Sequence, residues 1–390
     1  MSPLEGVRVL DLSRLLPGPF ASLVLADMGA SVDKVEEPGA GDYLRHMPPT
    51  LGGAGLGGAG ETPQSSLFLF LNRNKRSLSL DLKKPAGQAA LRRLLARYDV
   101  LLEQFRPGVL ARLGLAPEDL LREHPALIVC SLTGYGQTGE LSQRAGHDIN
   151  YVARAGALFG QGPVEGPPTV PGTQVADIGG GLWSVIAILG ALAERARTGR
   201  GKHLDVSMLE ASMSFAAVPF GHFAGGVSRA PGGAELTGGL VGYGVYATKD
   251  RRAVSLGALE PKFLGALFAA VGKPFDAEAF ALGEHQEPLR RDLASIFLER
   301  TLEEWVAFAK ERDVCLEPVL SPAEAVADAH LASRGAFFQL PSPWGPLLQM
   351  RLPVTDRAAS HLPPPRQGEH SAAILREAGF SDAEIAELST

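Results

Sequence analysis

The sequence predicts an α/β protein in which a parallel sheet has helices on both faces, with a smaller α+β domain further along the chain. Three observations lead to this prediction. Up to residue 132, short β-rich runs alternate with helical runs. After residue 240 that alternation gives way to a hairpin and a series of helices. The length of 390 residues suits two domains, or one large domain that carries a smaller one.

The first part of the chain alternates strands and helices in a regular order. Two helical runs begin at Pro85 and Pro117, since proline is favoured in the first turn of a helix. The first helix ends at Gly29, a residue type that commonly follows a helix. Predicted strands cover 7–12, 31–36, 77–82, 100–105 and 127–132, and predicted helices cover 19–28, 85–98, 117–123, 180–197 and 207–223.

The second part of the chain departs from that order. Residues 225–239 are rich in glycine and poor in large apolar side chains, which predicts a linker. Two strands, 241–247 and 253–259, flank a polar turn, and helices follow. We therefore predict a large domain formed by 1–224 and 326–390, the linker 225–239, and a small α+β domain over 240–325. The low-complexity stretch LGGAGLGGAG at 51–60 predicts a mobile loop within the large domain.

Composition indicates a soluble, folded protein. The chain is 45% hydrophobic and 21% charged, which excludes disordered and fibrous classes. Its net charge of -6 argues against general nucleic-acid binding, and its longest nearly uncharged apolar run is about half of the ~20 residues that span a bilayer. Cys130 and Cys315 have no ligand-like spacing, so we expect neither a zinc site nor a disulfide framework. With no signal-peptide pattern at the start, we predict a cytoplasmic protein without membrane association.

One segment is strongly basic within this acidic chain. Residues 73–112 hold ten lysines and arginines against three acidic residues, a net charge of +7. The arginines of the predicted helix 85–98 are interpreted as a solvated face. Lys83, Arg106 and Arg112 lie near strand ends or in the loops that follow, where an open α/β sheet binds ligands. They predict either a small polyanionic ligand, such as a nucleotide or coenzyme A, or an ordinary charged surface.

The first strand-to-helix turn lacks the motifs by which common nucleotide-binding enzymes hold phosphates. The loop at 13–19, SRLLPGP, contains neither GxGxxG nor GxxxxGKS, which disfavours a dehydrogenase or a kinase. The chain also lacks the GxSxG pattern of α/β-hydrolases.

Three other positions carry candidate catalytic groups. His147 lies in a glycine-punctuated loop beyond the strand 127–132, although a lone loop histidine is more often an ordinary surface residue. Asp177 precedes three glycines and a predicted helix, so it is an N-cap, a catalytic group, or both. Glu260 ends the hairpin before Pro261, where it could simply favour the positive end of a helix.

Five motifs taken together resemble one family. They are GYGQTG followed by RAGHDINY within 134–151, VADIGGG at 175–181, NRNKRSLSLDLK at 72–83, FRPGVLARLGL at 105–115 and VSLGALEPKF at 254–263. This set resembles the family III CoA-transferase superfamily and, more narrowly, its α-methylacyl-CoA racemase branch, over essentially the whole chain. The resemblance implies an acyl-CoA enzyme with a Rossmann-like large domain and a small domain. It also implies an interlocked homodimer, with the active site between the large domain of one chain and the small domain of the other.

The resemblance further implies roles for individual residues. His147 and Asp177 would be the two bases of a racemase, and Glu260 a supporting carboxylate. Backbone N–H groups around Asp177 and Gly179–Gly181 would stabilise an enolate oxygen. No metal or redox cofactor is implied, because coenzyme A is part of the substrate. The implied CoA contacts are Leu80, Asp81, Leu82, Lys83, Gln104, Phe105, Arg106, Arg112, Gly146, His147, Asp148, Ile149, Asn150 and Tyr151.

Two departures keep alternatives open. Racemases of the branch commonly have an arginine where this chain has Glu37, and we expect Arg45, Arg73 or Lys75 to replace it. The glycine-rich insertion at 51–60 looks more like transferase members. The leading interpretation is a 2-methylacyl-CoA racemase. The alternatives are a CoA-transferase that forms an acyl anhydride on Asp177 and a CoA-binding protein without catalysis.

Overall fold

The computed structural model describes residues 2–52, 61–163 and 165–388, so most of the predicted loop at 51–60 lies outside the described residues. The chain divides into two compact units. The first combines Met1–Val152, Thr173–Ser214 and Ala329–Thr390, and the second combines Ala153–Gly172 and Phe215–Asp328.

These units differ from the predicted domains in three places. Residues 153–172, 215–224 and 326–328 belong to the second unit instead of the large domain. Within the second unit, the Gly232 N–H donates to the Gly160 carbonyl at 3.3 Å, which ties the first of these segments to the predicted linker. The predicted linker 225–239 also contains a helical turn at Glu235–Gly239.

The first unit begins with alternating strands and helices. Their order along the chain is β1 Arg8–Asp11, α1 Pro17–Asp27, β2 Ser31–Glu36, β3 Thr50–Leu51, β4 Gln64–Ser65, α2 Ser66–Leu71, β5 Lys75–Ser79, α3 Pro85–Leu95, β6 Val100–Glu103, α4 Val109–Arg112, α5 Pro117–Glu123, β7 Ile128–Thr133, α6 Asp148–Arg154, α7 Val175–Thr198, β8 His203–Ser207 and α8 Met208–Phe215. A 3-10 turn covers Tyr43–His46.

Six of these strands form one parallel sheet in the order β5-β2-β1-β6-β7-β8. The predicted α/β fold with a parallel sheet is therefore confirmed. The chain moves outward in one direction from β1 to β5 and in the other from β6 to β8. Adjacent β1 and β6 thus mark the switch point at which open sheets of this type bind ligands. The sixth strand, β8, was not predicted, because its residues precede a run that the sequence assigned to a helix.

The second unit has a smaller antiparallel sheet packed with helices. Its elements are α9 Ala217–Ala224, β9 Tyr243–Ala247, β10 Ala253–Gly257, α10 Pro261–Ala270, a 3-10 turn at Ala277–Phe280, α11 Gln286–Phe297, α12 Leu302–Lys310, β11 Leu316–Pro318 and α13 Pro322–Ala327. The sheet order is β11-β10-β9. The predicted hairpin is present, and it gains a third strand. Trp305 and Phe297 lie at the centre of this unit's own apolar core.

The end of the chain returns to the first unit. It forms α14 Ala329–Ser333, the antiparallel pair β12 Phe337–Leu340 and β13 Leu347–Met350, and the helices α15 Ser371–Glu377 and α16 Asp382–Leu388. Ile374 and Leu375 are buried against Leu91 and Leu94 of α3, in the core that covers one face of the large sheet. Burial of these apolar side chains is the main stabilising contribution at this face.

By length and apolar composition, α7 is the one helix in the described ranges that could cross a membrane. A buried core helix has the same properties, and 44% of its most apolar window is buried inside the protein. A Cβ atom on Gly180 would lie 2.7 Å from Met208, and one on Gly181 would lie 2.8 Å from the Pro17 carbonyl oxygen. The glycines therefore let α7 pack closely against its neighbours in the first unit.

Candidate active site

A cleft of about 670 Å³ lies in the first unit beyond the carboxyl ends of β1 and β6. Its walls come from the loops after β1, β2, β5 and β6, together with the start of α6 and the first turn of α7. The strand order changes direction at this point, so the cleft occupies the place where the topology favours a ligand.

Most of the residues predicted to contact CoA line this cleft. They are Leu80, Asp81, Leu82, Lys83, Gln104, Phe105, Arg106, Gly146, His147 and Tyr151, and Asp177 joins them. A neighbouring cavity of about 450 Å³ shares Arg106 and His147 and adds Asn150. Arg112, Asp148 and Ile149 line neither cavity.

The loop that carries His147 is fixed by its own side chains. The His147 N–H donates to Asn150 Oδ1 at 3.0 Å, and the Tyr151 hydroxyl donates to the Gly146 carbonyl at 2.6 Å. A Cβ atom on Gly146 would lie 2.8 Å from the Tyr151 ring, so glycine is required for this close approach. The motif GHDINY therefore builds the loop as well as contributing to the cleft.

Asp177 lies inside the first turn of α7 and is not its N-cap. The helix begins at Val175, five residues before the predicted start, and the preceding Gln174 makes no capping bond with its side chain. The cap comes from α6, because Asp148 Oδ1 accepts hydrogen bonds from the N–H groups of Ala176 at 2.7 Å and Asp177 at 3.0 Å. This contact leaves the Asp177 carboxyl available to the cleft.

The environment of Asp177 favours its neutral form. Burial raises the pKa of this carboxyl to about 6, the negative charge of Asp148 adds to the rise, and His147 opposes it. A carboxyl that titrates near neutral pH can accept or donate a proton under ordinary conditions.

The predicted oxyanion donors at Gly179–Gly181 are wrong. These three glycines are buried within α7, past its first turn, where backbone N–H groups bond to carbonyls one turn earlier. The Asp177 N–H is also taken, by Asp148. The sequence interpretation failed because a triple glycine suggests a loop, whereas here it serves helix packing.

Glu260 belongs to the second unit. It immediately precedes α10, and its side chain makes no capping hydrogen bond to that helix.

The expected replacements for the missing arginine at Glu37 are also wrong, because all three are buried. Arg45 is paired with Glu36 at 2.7 Å, and Arg73 makes a two-pronged contact with Asp27. Lys75 donates to the Pro19 carbonyl and to Asn72. Their charges hold the interior of the first unit together and are not available to a ligand.

Several cleft residues were not predicted from the sequence. Arg14 and Tyr43 line the cleft, and the Arg14 guanidinium lies 5.4 Å from the centre of the Tyr43 ring. The loop that carries Arg14 includes Leu15 at φ 63°, and Lys34 donates to the Ser13 carbonyl at 2.6 Å beneath it. The signal was the position of this loop directly after the first strand.

The cleft therefore combines cations with two groups that can exchange protons. Arg106 and Lys83 are exposed on its wall, and Lys83 Nζ lies 3.3 Å from Glu37 Oε2. His147 and Asp177 line the same cleft. Such a site can bind an anionic ligand and move a proton at a carbon or act through a carboxylate nucleophile. Among the described residues, no three His, Cys, Asp or Glu side chains form a group suited to a metal ion.

The chain is similar to known proteins over nearly its whole length. The chain is 38% identical to the α-methylacyl-CoA racemase of Mus musculus, over 99% of this chain and 96% of that protein. It is 32% identical to the succinyl-CoA:glutarate CoA-transferase of Mus musculus, over 97% of this chain and 86% of that protein. A crystal structure of a CAIB/BAIF family protein from Brucella suis superposes with a TM-score of 0.82 at 31% identity. The superposition covers 97% of this chain and 99% of the Brucella suis chain.

The family model for CoA-transferase family III matches residues 4–371, which is nearly the whole chain. Both racemases and CoA-transferases occur among the relatives, so membership alone does not decide between the two activities. The five motifs, the six-stranded parallel sheet and these matches together place the chain in CoA-transferase family III.

Proposed function

We propose that this protein is a racemase or epimerase of 2-methylacyl-CoA thioesters, acting by 1,1-proton transfer through an enolate. The observation that carries the proposal is that His147 and Asp177 line one cleft, where burial brings the pKa of Asp177 to about 6. The 38% identity to α-methylacyl-CoA racemases over nearly the full length supports it.

The chemistry needs two bases on opposite faces of the substrate carbon. Neutral His147 would remove the α-proton from one face, and the C–H electrons would pass to the thioester carbonyl as an enolate. Protonated Asp177 would then return a proton to the other face, leaving imidazolium and carboxylate, and the reverse reaction would exchange these roles. An Asp177 pKa near neutrality suits this exchange, because both of its forms are then accessible.

The coenzyme would lie along the wall formed by the loops after β5 and β6. Exposed Lys83 and Arg106 would meet its phosphates, because ammonium and guanidinium groups are the usual partners of phosphate. Leu80, Leu82 and Phe105 offer apolar surface to the remainder. No metal or redox cofactor enters this reaction.

The same proposal includes an interlocked homodimer in the cytoplasm, in which Glu260 from the small domain of one chain supports His147 in the large domain of the other. Trp183, Ile186 and Met213 of the first unit are between 41% and 54% exposed, and contact with a second chain would remove this apolar surface from water. Cys130 and Cys315 are both free thiols, in keeping with a reducing compartment. Native mass spectrometry would test the dimer, and a monomer at micromolar concentration would contradict it.

The decisive experiment is proton exchange in heavy water. Incubation with an (R)-2-methylacyl-CoA should introduce deuterium at the α-carbon with loss of optical purity. His147→Ala should slow exchange by about 100-fold or more while acyl-CoA affinity stays within a few-fold. Exchange at the wild-type rate in that variant would remove His147 from the mechanism, and no exchange with any of several thioesters would refute the racemase.

A CoA-transferase is the second candidate, favoured by the transferase relatives at 32% identity and by a carboxyl in the cleft. Asp177 would attack the thioester carbonyl of the donor, form a mixed anhydride and release CoA as thiolate. Hydroxylamine should then trap acylated Asp177 as a hydroxamate, and CoA should move between acids in a donor-dependent manner. A racemase would give neither result.

A further inference from the structure

Asp148 lies next to His147 in the chain and contacts the helix that carries Asp177. Its Oδ1 accepts two hydrogen bonds from the first turn of α7, at 2.7 Å from the Ala176 nitrogen and 3.0 Å from the Asp177 nitrogen. A helix start has N–H groups without partners, and here another element supplies the acceptor. One carboxylate therefore joins the two segments on which the proposed mechanism depends.

The rest of the GHDINY motif holds this carboxylate in place. Asn150 accepts from the His147 N–H, and the Tyr151 hydroxyl holds the Gly146 carbonyl. Asp148 opens α6, so its backbone is fixed by the helix. A carboxylate held at the start of α6 fixes the position of the adjacent His147 relative to the Asp177 backbone.

Asp148 also acts on Asp177 through its charge. The titratable groups that face the Asp177 carboxyl are Asp148, His147 and the Tyr151 hydroxyl. Burial raises the pKa of Asp177 most, the Asp148 charge adds to the rise, and His147 lowers it. A negative charge this close disfavours a second one.

We propose that Asp148 is a positioning residue, whose carboxylate fixes the Asp177 helix against the His147 loop and whose negative charge acts on the Asp177 carboxyl. This role rests on the proposed function and is separate from the CoA contact that the resemblance implied for Asp148. The Asp148 side chain is bonded to the first turn of α7, and Asp148 lines neither cavity, so the proposed role of this carboxylate is exerted through Asp177.

The test separates the hydrogen bonds from the charge. Asp148→Asn keeps an oxygen that can accept both N–H groups but removes the charge, whereas Asp148→Ala removes both. The Asp177 carboxyl would be titrated by its infrared absorption, as the difference between each protein and the same protein with Asp177→Asn. We expect the Asp177 titration to move to lower pH in Asp148→Asn, and an unchanged midpoint would overturn the proposal.

Exchange kinetics give the second measurement. Asp148→Asn should keep the exchange rate within about fivefold at its optimum, with the acidic limb of the pH profile displaced to lower pH. Asp148→Ala should lower the exchange rate about 100-fold, because the two bases are no longer held in position relative to each other. Equal losses in both variants, with unshifted pH profiles, would contradict the positioning role.

The control is Asp119→Asn, which removes one charge from an exposed aspartate on α5 that pairs with Arg122. It should change neither titration nor exchange. If wild-type protein shows no exchange with any thioester, the racemase proposal fails. The infrared titration does not need turnover, so it still decides the role of Asp148.

Discussion

Glu36 and Asp177 are two carboxyls that line one cleft, and their pKa values are shifted in opposite directions. Burial alone would raise the pKa of Glu36, but the hydrogen bond and charge of Arg45, together with the charge of Lys34, lower it to about 2. Asp177 is also mostly buried, yet its nearest charges are Asp148 and His147, and its pKa rises to about 6. The difference teaches that the neighbouring charge, more than burial, separates a structural carboxylate from one able to transfer protons.

The largest expected effect comes from removing the cation at Glu36. Arg45→Met keeps side-chain volume but leaves a buried carboxylate without its guanidinium, which should cost about 3–5 kcal/mol of unfolding free energy at neutral pH. Because the pKa of Glu36 is depressed, its contribution is fully present above the unfolded value and is lost as pH falls toward 2. Denaturant titration would measure the change.

Arg92→Met is the matched control, since Arg92 pairs with Glu123 at 2.8 Å where both side chains are more than a third exposed. We expect this substitution to lower the free energy of unfolding by less than about 1 kcal/mol. Similar losses in the two variants would show that burial of the Glu36 pair has no special effect.

Removing the charge of Asp177 should increase the stability of the protein, whereas removing the partner of Glu36 should decrease it. Its folded pKa of about 6 lies above the ordinary value of 3.8, so the ionised carboxyl destabilises the protein above pH 6. Asp177→Asn should therefore raise the unfolding free energy by about 1–2 kcal/mol near pH 8, a range discounted for partial solvent contact. The gain should shrink as pH falls through 6 toward 4. Unfolding curves at several pH values would measure it, and a gain that does not depend on pH would contradict the raised pKa.

The smallest effect is expected at Glu37, which lies at the exposed end of the same strand region. It pairs with Lys83 at 3.3 Å, with side chains 48% and 79% exposed. Glu37→Gln should change stability by less than about 0.5 kcal/mol and, by freeing Lys83 for a phosphate, strengthen acyl-CoA binding about threefold. Calorimetric titration would measure affinity. Glu123→Gln, outside the cleft, should leave it unchanged, and weaker binding by Glu37→Gln would mean that Glu37 itself contacts the ligand.

Five of the six sheet strands could be predicted from the sequence because they alternate with helical runs and are bounded by clear turn residues. The strand Ser31–Glu36 and the helix Pro117–Glu123 lie where they were predicted. The prediction failed at α7 because local propensity treats three glycines as a break, whereas the requirement for close contact with Met208 and Pro17 comes from tertiary packing.

Charged residues were harder to interpret than strands. Arg45, Arg73 and Arg106 are the same residue type in nearby parts of the sequence, yet the first two are buried in ion pairs and the third lines the cleft. Whether an arginine meets a ligand depends on partners such as Asp27, 46 residues away from Arg73 along the chain. Sequence patterns over one segment contain no information about such partners.

The cap that α6 supplies to α7 has a consequence for protein engineering. Residues 145–151 contain one proposed base, His147, and the Asp148 carboxylate that holds the backbone of the other, so a base and a helix cap lie together in a segment of seven residues. An exchange of this segment between relatives would alter both sides of the reacting carbon at once. A swap confined to the start of α7 would pair the new helix with the Asp148 carboxylate of the original chain. Chimaeras that change activity should therefore be cut outside both segments.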